Sequence, residues 1–441
     1  MDFRAFYLRN NFWFHDWLKG SPIRKSYKEV EFILTHSKEE GWPIRSQKLR
    51  HILDYASEHC EFYKDLKGHN IEDFPVMTKT SLIENHDKIV VPEKDIPGQE
   101  GPVFIQRTSG STGNPLAMPQ DTGKRQRRIA EIKFLSYLLG YNSHEKMVHL
   151  RTWNSITQKP STMKRRDNIV PFDIKRLGDD DLVELCQLIQ KEKAVYVRGY
   201  ASTFDKINKI VNRHHFKFPH LKLIVCTSEA LEDDLRKATR EAMKCEVVSQ
   251  YADEECGVLA QERIPTKEKD NVMYFNWSGY YIEILKLNED KPVEYGELGR
   301  IVLTDFHNHA FPVIRYDTGD TCVLLPPDEY SNGYPVMGKL YGRRFDLTYT
   351  TNGTPIYPLA YGRLLKNYDT IQQWQFVQEG EKKYCLNLVL RNMDQKEVPD
   401  MLLNIRELLG DDADISINLV DEIPLMRSGK RKPVKNDWLT K

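Results

Sequence analysis

Between about residues 145 and 255 the chain alternates short apolar runs with charged, amphipathic stretches. The runs 147–150, 194–197, 223–226 and 247–249 read as strands, and the stretches 180–191 and 232–244 between them carry helical spacing. Strand and helix alternating in this way predict a parallel sheet covered by helices. Upstream, Leu49, Ile52, Leu53 and Ala56 recur every three or four residues up to Cys60-Glu61-Phe62-Tyr63, the mark of one buried helix face. Downstream, 281–287 and 300–304 alternate apolar with polar, which predicts antiparallel strands half buried against the core. The last hundred or so residues read strand, helix, strand over 384–390, 398–409 and 414–420, a small α+β unit. The predicted fold is α/β: a large N-terminal part with mixed or parallel sheets covered by helices, an antiparallel subdomain, and a small C-terminal α+β domain.

In parallel sheets ligands gather beyond the carboxyl ends of the strands. Three segments of small or polar residues stand there: Gly199-Tyr200-Ala201-Ser202, Thr227-Ser228-Glu229-Ala230, and Tyr251-Ala252-Asp253-Glu254-Glu255-Cys256-Gly257. Each also reads as an ordinary strand-to-helix turn. The N-terminus is rich in aromatics, with Phe3, Phe6, Tyr7, Phe12, Trp13, Phe14 and Trp17. This pattern predicts a helical arm over residues 1–44 packed on the main body; an amphipathic helix at a membrane surface is the other reading.

The length of 441 residues suggests two or three units packed together. Lys plus Arg (64) balance Asp plus Glu (64), so overall charge argues for no nucleic-acid partner. Two basic runs, Lys124-Arg125-Gln126-Arg127-Arg128 and Lys164-Arg165-Arg166, are the exception, and such runs most commonly form solvated helix faces. The seven cysteines are scattered without a CxxC pair, which reads as reduced thiols in a cytoplasmic protein, against a disulfide framework or a zinc site. No apolar run approaches the roughly 18 residues that a membrane span needs. His307-Asn308-His309 has no third ligand nearby in sequence and reads as structural.

The candidate chemistry centres on Thr108-Ser109-Gly110-Ser111-Thr112-Gly113-Asn114-Pro115. Glycines allow close backbone approach, and hydroxyls with free N–H groups form a concavity for phosphate oxygens. A flexible linker is the bland alternative. Gly113 is followed by Asn114 and Pro115, so the Gly-Lys-Ser/Thr ending of a Walker loop is missing. The run resembles the phosphate loop of the adenylate-forming superfamily of acyl-CoA synthetases, nonribosomal adenylation domains and luciferases. Its flanks are most similar to phenylacetate-CoA ligases and the CapK-like proteins of polysaccharide biosynthesis, as is Phe74-Pro75-Val76-Met77-Thr78-Lys79.

The resemblance extends through the chain in order. Gly199 to Ser202 is similar to a turn on the acyl-pocket side, which implies Trp153, Tyr200 and Tyr251 as pocket walls. Ser228, Glu229 and Ala230 resemble the segment bordering adenine. Tyr251 to Glu255 resembles the family's YGxxE pattern, with Tyr251 on adenine and Glu255 holding Mg2+. Here Ala252 replaces the usual Gly, and an acidic helix N-terminus is the alternative reading. Mg2+ takes one or two protein carboxylates and fills its octahedron with water and phosphate, so Glu255 is chemically suited.

Ile314-Arg315-Tyr316-Asp317-Thr318-Gly319-Asp320 resembles the ribose motif, with Asp320 as the ligand and Asp317 where Arg is usual. An ionised Asp offers only acceptors, which suits two ribose hydroxyls. Tyr341-Gly342-Arg343-Arg344-Phe345-Asp346 resembles the hinge, with Arg343 on ribose or phosphate. The implied division is 1–342 for the ATP- and acyl-binding domain and 343–441 for a mobile lid. Met426-Arg427-Ser428-Gly429-Lys430 resembles the superfamily's C-terminal loop, with Lys430 as the catalytic lysine. A basic tail is the plain reading of that loop, but the order of motifs favours the functional one.

Together these features imply an ATP- and Mg2+-dependent ligase for a small carboxylic acid, with CoA or a sugar amine or hydroxyl as acceptor. A nucleotide-binding regulator without catalysis and a basic-patch nucleic-acid binder are the other classes.

Overall fold

The computed structural model describes residues 2–107, 116–153, 165–175, 178–264, 272–343, 347–356, 358–365, 367–368, 370–391, 395–424 and 433–438, without the side chains of 342, 343, 359 and 363. The loop 108–115 and the segment 425–432 with Lys430 lie outside the described residues.

The chain opens with three helices, α1 (Phe3–Leu18), α2 (Pro22–Thr35) and α3 (Lys38–His59). Their ends are written in the sequence. Asp2 caps α1 by accepting the N–H groups of Arg4 (2.9 Å) and Ala5 (3.1 Å). Buried Asp16 accepts from Ile23 (3.0 Å) and Arg24 (2.9 Å), satisfying the first donors of α2. Ser37 and Glu40 form a reciprocal capping box that starts α3. The predicted apolar face of α3 is buried through Ile52, Leu53 and Ala56. A short helix α4 (Lys79–Glu84) follows, capped by Thr78.

Strands β1 (Phe104–Arg107) and β2 (Ala117–Gln120), on either side of 108–116 in sequence, pair antiparallel with Arg107 opposite Ala117. Helix α5 (Thr122–Leu138) leads into the main sheet. That sheet is built from β3 (Met147–Arg151), β4 (Ile169–Asp173), β5 (Tyr196–Gly199), β6 (Leu223–Thr227), β7 (Glu246–Ala252), β8 (Val258–Gln261) and β9 (Tyr274–Phe275). Among the described residues its order is β4-β3-β5-β6-β7-β8-β9, parallel up to β7 and antiparallel beyond. Helices α6 (Asp179–Lys191), α7 (Ala201–His214) and α8 (Asp233–Met243) join Val148, Leu150, Val197, Ile224 and Val247 in one apolar cluster.

An antiparallel sheet follows in the order β10 (Tyr280–Leu285), β11 (Leu298–Asp305), β12 (Tyr316–Leu325), β13 (Val336–Arg343). Its apolar residues share a core with Ile52 and Leu53 of α3. The segment before α4 adds to it as a one-residue parallel bridge: Met77 N–H donates to Arg315 O, and Asp317 N–H donates to Met77 O, each 2.9 Å. Arg315 locks this junction. Its guanidinium holds both oxygens of Glu283 (3.1 and 2.9 Å) and donates to the carbonyls of Glu72 and Phe74.

The C-terminal part carries a small hairpin, β14 (Thr348–Tyr349) with β15 (Pro355–Ile356), then α9 (Pro358–Leu365), β16 (Ile371–Gln378), β17 (Lys383–Leu390), α10 (Val398–Leu409), β18 (Asp414–Leu419) and β19 (Val434–Asn436). A sheet in the order β18-β17-β16-β19 packs on both helices around Tyr361, Phe376, Tyr384 and Ile405. The α/β class and its sheet arrangement agree with the expectation from the sequence.

The basic run 124–128 departs from it. Lys124 is buried in an ion pair with Asp305, and Arg127 is buried against Glu131 (3.0 Å), Glu29 (2.6 Å) and the Ser278 carbonyl (2.6 Å). These cations are neutralised inside the protein, so this run is not a solvated face. All seven cysteines are free, and among the described residues no helix is long and apolar enough to cross a membrane.

The histidines of the 307–309 stretch serve packing. Burial, reinforced by Arg127, Lys48 and Lys124, holds His307 well below the usual imidazole range, and burial also lowers His309. Burial with Lys133 beside it lowers His144 to about 4. A folded-state pKa below the unfolded value means that the unfolded chain takes up protons first as pH falls through about 6.5, so stability is lost on the acid side. We expect unfolding free energy to fall between pH 6.5 and 5 and His307→Gln to reduce that slope by about 1.4 kcal/mol per pH unit, one proton's worth. Urea titrations at a series of pH values check this; an unchanged slope would refute it.

Candidate active site

The carboxyl end of β7 is the focus. Val247, Val248, Ser249, Gln250 and Tyr251 are buried, and the polypeptide turns immediately afterwards. Asp253 makes the turn: its Oδ1 accepts the N–H groups of Cys256 (2.7 Å) and Gly257 (3.0 Å), and its own N–H donates to Gly257 O at 3.0 Å. The acidic stretch therefore closes a hairpin into β8, and the alternative of a helix N-terminus does not hold.

Three carboxylates here have distinct surroundings. Burial, with Glu255 next, pushes the Asp253 carboxyl up to about 7. Glu254 is held by Arg151 (2.9 Å) and by the Gln106 side-chain amide (2.8 Å). Glu255, with its side chain 9% exposed, pairs with Lys79 Nζ at 3.1 Å, while its backbone carbonyl accepts from Gln120 Nε2 at 3.0 Å. Gln106 and Gln120 lie on β1 and β2, so both stems of the 108–116 connection are pinned to the acidic turn.

Tyr251 joins this turn to the antiparallel sheet. Its hydroxyl donates to Asp320 Oδ2 at 2.8 Å and lies 3.3 Å from Thr318 Oγ1. Burial, then the charge of Asp320, hold that phenol well above its usual range, so it stays a donor. Asp320 stands on a bulge of β12: pairing with β11 jumps from Arg300–Thr321 to Val302–Asp317, and Gly319 at φ +79 supplies the left-handed residue the bulge needs. Asp317 is occupied elsewhere, buried against Arg300 at 3.1 Å and accepting the Gly319 N–H at 2.9 Å. Arg343 on β13 is in register with Asp320, which brings the backbones of these two candidate residues side by side.

At the neighbouring strand ends, Ser228 turns the chain with a positive φ of 67, while Ser228 and Ala230 stay exposed. Glu229 accepts the Ser202 N–H at 2.9 Å, so it caps α7 and ties the Tyr200 turn to the Ser228 turn. Trp153, just past β3, donates its indole N–H to Phe172 O at 3.1 Å and lies edge-on to His149.

Tyr200, Ser228, Tyr251 and Glu255 thus share one end of the main sheet, and Asp320 reaches it through Tyr251. Lys79 joins the candidate site through Glu255, although in the sequence it stands only as part of a motif. Its signal was present in Met77-Thr78-Lys79, but its partner lies 176 residues away.

This architecture has known counterparts. Residues 348–437 match the family model described as the CapK C-terminal domain. The chain is 21% identical over 439 residues to Protein CapK of Staphylococcus aureus, covering 94% of this chain and 93% of that protein. Among solved structures, 2-hydroxyisobutyryl-CoA ligase in the postadenylation state with R3-HIB-AMP superposes with a TM-score of 0.68 at 16% identity, covering 92% of each chain. The same ligase in its thioesterification state gives 0.61. The amide bond synthetase McbA from Marinactinospora thermotolerans gives 0.55 at 13% identity, over 74% of this chain and 66% of that one. The chain therefore has the fold of the adenylate-forming ligases.

Proposed function

We propose that this chain is an ATP-dependent ligase that activates a small carboxylic acid as its acyl-adenylate and then passes the acyl group to CoA or to an amine or hydroxyl. A sugar acceptor in capsular or cell-surface polysaccharide synthesis is within that scope. The observation that carries the reading is the hydrogen bond from Tyr251 to Asp320 (2.8 Å) beside the buried Glu255. It brings an aromatic face, a ribose-type acceptor and a metal-type carboxylate to one strand end, from motifs far apart in sequence.

In this reading the substrate carboxylate attacks the α-phosphorus of ATP. A new P–O bond forms to the carboxylate as the bond to the bridging oxygen breaks, and the electron pair leaves with pyrophosphate. Little covalent work falls to the protein, so the residues act by positioning and charge neutralisation. Residues 108–113 receive the phosphates, Asp320 and Arg343 the ribose, Ser228 to Ala230 and Tyr251 the adenine. Trp153 and Tyr200 border the acyl group, and Lys430 reaches the carboxylate and α-phosphate from the 343–441 lid.

Glu255, with Asp253 beside it, fits Mg2+, a hard cation that prefers carboxylate and water oxygens. Bound there, the ion would neutralise charge on the departing phosphates. Lys79, paired with Glu255 at 3.1 Å, orients that carboxylate and offsets its charge until then. Burial of Lys124 and Arg127 counts against the nucleic-acid reading, because those charges are spent on internal carboxylates.

The test is pyrophosphate release from ATP and Mg2+ across a panel of small acids, without and then with CoA. Release that depends on one acid supports adenylation, and acceleration by CoA identifies the acceptor. ATP binding without release for any acid would favour a regulator and sink the proposal. Tyr251→Phe removes one hydroxyl donor from Asp320, so the KM for ATP should rise about three- to tenfold, the worth of one hydrogen bond, with kcat little changed. A tenfold fall in kcat at constant KM would contradict a binding role.

A further inference from the structure

We propose that the outer face of α1 is a membrane-interface surface, seating the chain on an anionic lipid leaflet without crossing it. The helix has two different faces. Inward, Ala5 and Asp16 are buried, Phe12 lies against His144 (5.5 Å between centroids), and Trp13 meets Tyr27 edge-on at 5.7 Å. Outward, Phe3 is 82% exposed, Tyr7 67% and Trp17 64%, and Phe14 and Leu18 are also open. Phe3, Tyr7, Phe14 and Leu18 follow the four- and seven-residue spacing of a single helical stripe, with Trp17 beside it. The Phe14 and Trp17 rings rest on each other, 5.9 Å apart. A contiguous aromatic surface of this kind is unusual on a soluble chain and marks an interaction site.

Charge decides the partner. Residues 2–35, spanning α1 and α2, hold six Lys or Arg against four Asp or Glu, in a chain that carries 64 of each. Three of the four acids are consumed: Asp2 caps α1, Asp16 is buried capping α2, and Glu29 pairs with Lys48 and Arg127. Arg4, Lys19, Lys25 and Lys28 are exposed on these two helices, and none forms an ion pair among the described residues. An apolar stripe carrying Trp, Tyr and Phe beside uncompensated cations is the chemistry of a helix lying in the headgroup layer of anionic lipid. A second copy on the same face would bring like charges together around the stripe. A helix of 16 residues lies about 24 Å along such a surface.

The experiment is co-sedimentation of the full chain with vesicles of phosphatidylcholine alone or with about 30% phosphatidylserine, at low and high salt. Partition onto the anionic vesicles should be at least about tenfold stronger, and Lys19→Gln should weaken it about fivefold, the worth of one cation at such a surface. Phe14→Ser with Trp17→Ser should abolish it while leaving the far-ultraviolet dichroism intact. Should that pair disturb folding, Phe3→Ser with Tyr7→Ser tests the same stripe from its other end. No binding to either vesicle, or equal binding to both, overturns the proposal. So does a dimer seen by light scattering that the aromatic variants dissociate, since the stripe would then be covered by a second copy.

Discussion

Lys430→Ala should lower acid-dependent pyrophosphate release by about a hundred- to a thousandfold, the usual cost of removing one charge aimed at a phosphoryl transition state. ATP binding should change little, because the proposed contacts of 108–113, Tyr251 and Asp320 remain. The second half-reaction supplies the control. If the 343–441 lid carries Lys430 in for adenylation and away for transfer, the variant should still consume an acyl-adenylate supplied ready-made at close to the parent rate. Equal loss of both half-reactions would mean that Lys430 holds the lid's structure, and an unchanged release rate would remove it from the chemistry.

The largest effect on stability is expected at Lys124. Its ammonium and the Asp305 carboxylate are both essentially inaccessible to water, and Lys124 also lies 5.0 Å from the Tyr280 ring centre. Truncating one partner of a buried ion pair strands the other charge, at a cost of about 3–5 kcal/mol. Lys124→Met should therefore shift the urea midpoint far to lower denaturant. Lys124→Met with Asp305→Leu should recover most of the loss, since a buried pair replaced by apolar residues of similar volume is often close to neutral. A double variant as unstable as the single would show that packing around Tyr280, not the stranded carboxylate, sets the cost.

What was legible in the sequence followed from burial on both faces. The runs at 194–197, 223–226 and 247–249 are parallel strands covered on both sides, so they read as unbroken apolar segments. Strand β4 escaped notice because Pro171 interrupts it, which an edge strand tolerates. Strand β16 escaped because Gln375 and Gln378 look solvent-facing, yet both are buried, and Gln378 accepts the Tyr349 N–H at 2.8 Å.

The candidate site was legible where spacing within one motif carries the chemistry, as from Tyr251 to Glu255. It was not legible where chemistry depends on distant partners. Lys79 pairs with Glu255, Asp317 is claimed by Arg300, and Arg127 is claimed by Glu29 and Glu131, none of which a linear pattern announces.

The bridge between Met77 and β12 has a consequence for biogenesis. Lys79 leaves the ribosome 176 residues ahead of Glu255, and the backbone that receives Met77 emerges later still. At about 5–20 residues per second, the early segment waits on the order of 10–35 s for its carboxylate partner. Met77 and Phe74, both buried in the folded chain, lack their β12 neighbours throughout that interval. Completion of the N-terminal segment around Met77 is therefore timed by the synthesis of a strand more than two hundred residues downstream.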